Sequence, residues 1–195
     1  MPDQTSSAMV ARLLDVIENE IVPLTERGVA AGNKVFGAAL LRKSDLSLVI
    51  AGTNDETDNP LWHGEINTLR QFYERPERPS TRELIFLTTH EPCTLCMSAI
   101  TWAGFDNFYY FYSHEDSRDA FAIPHDLVIL KELFGLEPGG YRRRNAFWTA
   151  YAIDDLIAAV NQPELSAQRD RIRRQYDAMS DQYQKSKGDN NIPLN

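Results

Sequence analysis

Cysteine is scarce: the 195-residue chain has two, Cys93 and Cys96. That is too few for the disulfide framework of a small secreted protein, and a close pair points instead to redox chemistry or to a metal. No apolar run approaches the roughly 20 residues that a membrane-spanning helix needs. The start, Met1-Pro2-Asp3-Gln4-Thr5-Ser6-Ser7, lacks the basic residues and apolar stretch of a signal peptide. A cytoplasmic location with no membrane partner is the expectation. Internal repeats and low-complexity tracts are absent as well. Positive charge is in short supply, with 20 Lys and Arg against 28 Asp and Glu and a net charge of −8. The basic clusters, Arg142-Arg143-Arg144 and Arg169 to Arg174, are short, and Asp170 interrupts the second. Non-specific nucleic-acid affinity comes mainly from neutralising phosphates, so a small substrate is expected rather than RNA or DNA.

What is present suits a globular α/β chain, with 43% hydrophobic and 25% charged residues. Val10, Leu13, Leu14, Ile17 and Ile21 recur at helical spacing and predict an amphipathic helix over 8–27, punctuated by Gly28 and Gly32. Apolar runs at 36–42 and 46–51, split by Lys43-Ser44-Asp45, predict a β-hairpin. A polar loop, 52–60, leads to a helix over 63–73. A compact strand follows at 84–89, then a helix over 93–103 and an aromatic strand at 107–112. Residues 113–124 read as a loop and 125–134 as a helix. Pro138-Gly139-Gly140 reads as a turn, 141–147 as a last strand and 152–160 as a helix. Strands alternating with helices imply a sheet covered on both faces. Pro163 marks a boundary between a domain over 1–162 and an extension over 163–195. In that extension Leu165, Ile172, Tyr176, Met179 and Tyr183 form a packing stripe, and 188–195 reads as a frayed tail.

Two segments carry the chemistry: His63-Gly64-Glu65, and Pro92-Cys93-Thr94-Leu95-Cys96. Together they fit the H-x-E…P-C-x-x-C signature of zinc deaminases. Catalytic zinc takes three nitrogen or sulfur ligands and leaves a fourth position for water, and His63, Cys93 and Cys96 give that count. Two cysteines three apart at a helix start face the same way, and the positive end of that helix favours thiolates. Pro92 suits a helix start because its missing N–H is no loss there. Glu65 is then free to carry protons between water and substrate. Alone, the cysteines fit a redox pair or two buried thiols. A structural zinc site would need a fourth ligand from His90, His114 or His125.

At these residues the chain resembles the cytidine deaminase-like superfamily, in its nucleobase and tRNA-adenosine deaminase branch, over about 8–160. Phe36-Gly37-Ala38-Ala39-Leu40 resembles the family's first strand. His63-Gly64-Glu65-Ile66 with Thr68-Leu69 looks like fungal cytosine deaminase. Phe108-Tyr109-Tyr110 through Ser113-His114-Glu115-Asp116, then Lys131-Glu132, looks more like bacterial guanine deaminase. The resemblance implies an α/β fold, a three-layer α/β/α sandwich around a mixed five-stranded sheet, with a homodimer common. It implies zinc as cofactor, Glu65 as the proton shuttle, and substrate contacts from the backbone at Gly64 and from the side chain of Asn54. The loop from Asn54 to His63 is shorter than in the relatives, so Asn59 is a rival to Asn54, and either could be a plain turn residue. Asp116 fits recognition of an exocyclic amine, or a solvated loop position. Phe36, Trp62 and Trp102 are candidates for stacking on a planar ring, or core residues. His90 is read as a packing residue, and His114 and His125 as loop residues.

These observations lead to an expected function: zinc-dependent hydrolysis of an amino group from a free nucleobase or similar heterocycle, with guanine slightly ahead of cytosine. The alternatives are a tRNA-adenosine deaminase and a non-catalytic zinc-bearing binding protein.

Overall fold

The computed structural model describes residues 5–137 and 140–195. Pro138 and Gly139 of the expected turn lie outside the described residues. The chain enters through α1 (Ser7–Val16), whose N-cap Ser6 accepts a hydrogen bond from the backbone of Met9. One π-helical turn, Ile17–Ile21, joins it to α2 (Val22–Ala30), so the helical stretch passes through Gly28 and ends at Gly32, where φ is +94°. The hairpin is β1 (Gly37–Arg42) and β2 (Leu48–Thr53). After it come α3 (Gly64–Glu74), β3 (Leu84–His90), α4 (Thr94–Trp102) and β4 (Asn107–Tyr112). The chain closes with α5 (His114–Asp119), α6 (His125–Phe134), β5 (Thr149–Ala152), α7 (Ile153–Val160) and α8 (Pro163–Ser186).

The five strands form one mixed sheet in the order β2-β1-β3-β4-β5. β1 is antiparallel to both β2 and β3, whereas β3, β4 and β5 run parallel. Side chains alternate between two cores. Ala39, Leu41, Ile85, Leu87, Tyr109 and Phe111 pack with α1, α2, α7 and α8. Ala38, Leu40, Phe86 and Phe108 pack with α3 and α4 on the opposite face. The result is the expected three-layer α/β/α sandwich around a mixed five-stranded sheet. The stripe on α8 packs against α1 and α2 of the same chain. No helix among the described residues is long and apolar enough to cross a membrane.

Three local expectations are corrected. Residues 113–124 are not all loop, because Ser113 and Asp116 form a reciprocal capping box that starts α5. The last strand is Thr149–Ala152 rather than 141–147. The arginines of the earlier segment are exposed, and its strand pairing with the sheet region is an isolated bridge from Arg144 to Thr149. The tail is not frayed: Ile192 is buried, and Asn190 Nδ2 donates to the carbonyl of Gly32 at 2.9 Å.

Candidate active site

The site lies at the carboxyl ends of β3 and β4, where ligands of open α/β sheets bind. Two helix starts meet there. His63 is the N-cap of α3 and Cys93 the N-cap of α4. Pro92 therefore sits one residue before the cap of α4, and the Cys93 sulfur accepts from the backbone of Cys96 at 3.5 Å. Gly64 lets α3 begin against β1. A Cβ there would stand 2.9 Å from both Gly37 Cα and Phe36 O, closer than side chains tolerate.

Nδ1 of His63 lies 3.5 Å from Cys93 Sγ and 3.7 Å from Cys96 Sγ. All three donor atoms fall within 4.8 Å of one another. Tetrahedral bonds of ~2.3 Å to sulfur and ~2.0 Å to nitrogen would separate nitrogen from sulfur by about 3.5 Å, so the two nitrogen–sulfur distances suit zinc. Cys93 is held well below the usual thiol range by the adjoining Cys96 side chain, against burial and with help from His63. Burial pushes Cys96 well above it. For His63, burial acts downward, but hydrogen bonding and charge from Cys93, with Glu56 and Glu65, bring it up to about 9.

Glu65 is buried in the first turn of α3. Its Oε2 accepts from Cys96 Sγ at 3.3 Å, and Thr88 Oγ1 reaches its Oε1 at 2.9 Å. Burial, then the neighbouring Cys93 charge, raises its pKa. Glu65 thus stands beside the metal donors without being one of them. Asn54 is buried too: its Oδ1 accepts from the backbone of Gly64, and its Nδ2 donates to Glu56 at 2.5 Å. Asn59 serves a local turn, accepting from the backbone of Leu61.

A cavity of about 340 Å³ opens in front of these groups. Its walls include Phe36, His63, Cys93, His125, Asp126 and the tail residue Leu194. A smaller recess behind it brings Phe36, His63, Glu65 and Cys93 together with His90, Glu91 and Asp126. Phe36 lines both. Trp102 points to solvent, 91% exposed, and Trp62 lies under the Arg70 guanidinium. Asp116 is committed to its cap, accepting from Ser113 through both N–H and hydroxyl. His90 is packed among Phe36, Tyr112, Phe121 and Tyr176, and burial lowers its pKa to about 3. His114 is no loop residue: its ring nitrogen bonds the carbonyl of Pro92 and supports the Cys93 turn.

Sequence reasoning passed over Asp126. It stands in the first turn of α6, and burial followed by the charge of Cys93 pulls its carboxyl up to about 7. Only the fold carries it to the recess, so no spacing rule could have flagged it. Glu56 and the tail residues Ile192, Pro193 and Leu194 were also missed.

Residues 18–112 match the family model for the cytidine and deoxycytidylate deaminase zinc-binding region. That stretch of the chain belongs to this family. The family's metal is zinc, and the cluster of His63, Cys93 and Cys96 within that stretch suits it. Guanine deaminase of Bacillus subtilis (strain 168) is 30% identical over 102 residues, 51% of this chain and 64% of the relative. The match thus spans less than two thirds of that curated relative's length. A solved structure of guanine deaminase from Bacillus subtilis aligns with a TM-score of 0.51 at 29% identity, covering 61% of this chain and 75% of that one. A variant of the protein NE0047, solved with 8-azaguanine, aligns with a TM-score of 0.55 at 21% identity, covering 87% and 84%; this likeness concerns the fold.

Proposed function

We propose that the protein is a zinc-dependent hydrolytic deaminase of a free nucleobase or related amino-heterocycle, with guanine first and cytosine second. The observation that carries this reading is the position of Glu65, a buried carboxylate next to the zinc donors yet outside them, in the small recess behind the cavity. A purely structural site has no use for such a group. When bound, zinc supplies Lewis acidity that brings a water's pKa to about 7. Glu65 takes a proton from the attacking water and delivers it to the ring nitrogen. It then passes the second proton to the departing amine, which leaves as ammonia while the ring keeps the oxygen. Its raised pKa suits a carboxyl that must alternate between the two forms. The ligand roles of His63, Cys93 and Cys96 and the shuttle role of Glu65 belong to this proposal.

For the substrate, Phe36 offers a ring face, and the backbone at Gly64 lies beside the reacting group. Asn54 has one amide N–H beyond its bond to Glu56. We assign recognition of an amidine edge to Asp126 rather than to Asp116. A carboxylate accepts two N–H groups side by side, as guanine presents and cytosine does not. The guanine deaminase relatives support the same order. The size of the cavity falls in the range of small-molecule sites, which favours a free base over a tRNA stem-loop. A homodimer is part of the proposal, supported by the exposed apolar side chains of Leu95 and Trp102 on α4, and native mass in solution tests it.

The test of the activity is ammonia release by zinc-loaded protein from guanine, cytosine, adenine, a pterin, an aminotriazine, nucleosides and a tRNA stem-loop. Guanine is expected to react fastest. Release from the stem-loop alone would overturn the free-base reading, and silence across the panel would overturn the assignment.

A further inference from the structure

Glu56 belongs to neither motif, yet it is one of the most buried acids of the chain, 4% exposed. Three groups converge on its carboxylate. Nζ of Lys34, itself buried, lies 2.9 Å from Oε1. Nδ2 of Asn54 donates to Oε2 at 2.5 Å. Nε2 of His63 faces Oε1 at 3.8 Å.

The orientation of each partner follows from its other bond. The backbone N–H of Gly64 can only donate, so Asn54 must turn Oδ1 toward it and Nδ2 toward Glu56. His63 turns Nδ1 to the two sulfurs. With that nitrogen on the metal, the ring proton sits on Nε2, on the side of Glu56. A carboxylate beside the far nitrogen of a metal-bound histidine fixes the ring and raises its basicity. Burying such a carboxylate is strongly unfavourable unless it is paired, and Lys34 supplies the counter-charge.

We propose that Glu56 is a positioning residue that holds two functional side chains at once, the imidazole of His63 toward zinc and the carboxamide of Asn54 toward the substrate. Lys34 neutralises it. The proposal rests on His63 being a zinc ligand and is independent of which heterocycle reacts. A plain ion pair locking the loop before β1 to the loop after β2 would show the same Lys34 contact. It would have no effect on the metal.

Zinc affinity separates the two. It is measured on the full chain by competition with a chromophoric chelator, with thermal melting of the metal-free protein alongside. The variants are Glu56→Gln, and Lys34→Met combined with Glu56→Gln. Glutamine turns an amide donor either toward Lys34 and His63 together or toward Nδ2 of Asn54. The double variant removes the cation that the single one leaves unpaired, so it keeps the experiment informative if the single variant unfolds. A folded double variant with zinc affinity lowered about 10- to 100-fold is expected. A folded double variant that binds zinc as tightly as the native chain overturns the proposal. Because the readout is metal binding, neither result depends on turnover of any base.

Discussion

Cys96 Sγ donates to Oε2 of Glu65 across 3.3 Å, a bond that cannot persist once that sulfur holds a metal as thiolate. Cys93 is already biased to thiolate, whereas Cys96 keeps its proton and His63 is held up to about 9. At pH 7 the metal-free site therefore carries one proton on Cys96 and one on His63 that zinc must displace. Release of about two protons per ion is expected, measured by calorimetry in buffers of different ionisation enthalpy. The sign follows from the raised histidine: it is protonated below about 9, so zinc affinity falls as pH is lowered from there. Release of no protons at pH 7 would contradict this picture.

Thr88 places the other oxygen of Glu65, at 2.9 Å. Thr88→Val keeps the shape and removes the hydroxyl. Turnover is expected to fall roughly tenfold, the equivalent of about 1.4 kcal/mol. Zinc content should stay at the native level. Steady-state kinetics with metal analysis decides, and an unchanged kcat removes Thr88 from the account.

Asp126→Asn should leave zinc in place and spare the fold. If the carboxylate receives the N–H edge of guanine, kcat/KM for guanine drops about 10- to 100-fold, the range of a charged hydrogen bond. Equal kinetics in the variant would return substrate recognition to other residues of the cavity.

Ile192, Pro193 and Leu194 form part of the cavity wall. Deleting residues 190–195 should raise KM by about tenfold through lost apolar contact, with a small change in melting temperature. A KM equal to that of the full chain would show that the tail takes no part in binding.

The zinc donors were legible in the sequence because few residue types bind zinc and the Cys93–Cys96 spacing is set by one helix turn. Glu65 came with them, two residues after His63. The sheet and its two covering layers were legible from strands alternating with helices, among them the aromatic run Phe108-Tyr109-Tyr110, which is buried throughout. What stayed hidden was brought together by the fold alone. Asp126 reaches the recess from the start of α6, and Glu56 meets Lys34 across two loops that no periodicity describes. Asp116 looked available because it follows β4, but its carboxylate closes a cap, and the Ser113–Asp116 spacing was the signal for that. The tail read as frayed, yet buried Ile192 and the bond from Asn190 to Gly32 help to dock it.

The role assigned to Glu65 is to move protons and not to hold the metal. The direct measurement is ammonia release by Glu65→Gln at full zinc occupancy, set beside the native chain on the same base. One zinc per chain is expected, as in the native protein, with turnover lost by a factor of about 10² or more. A zinc-loaded variant that releases ammonia at the native rate would contradict it.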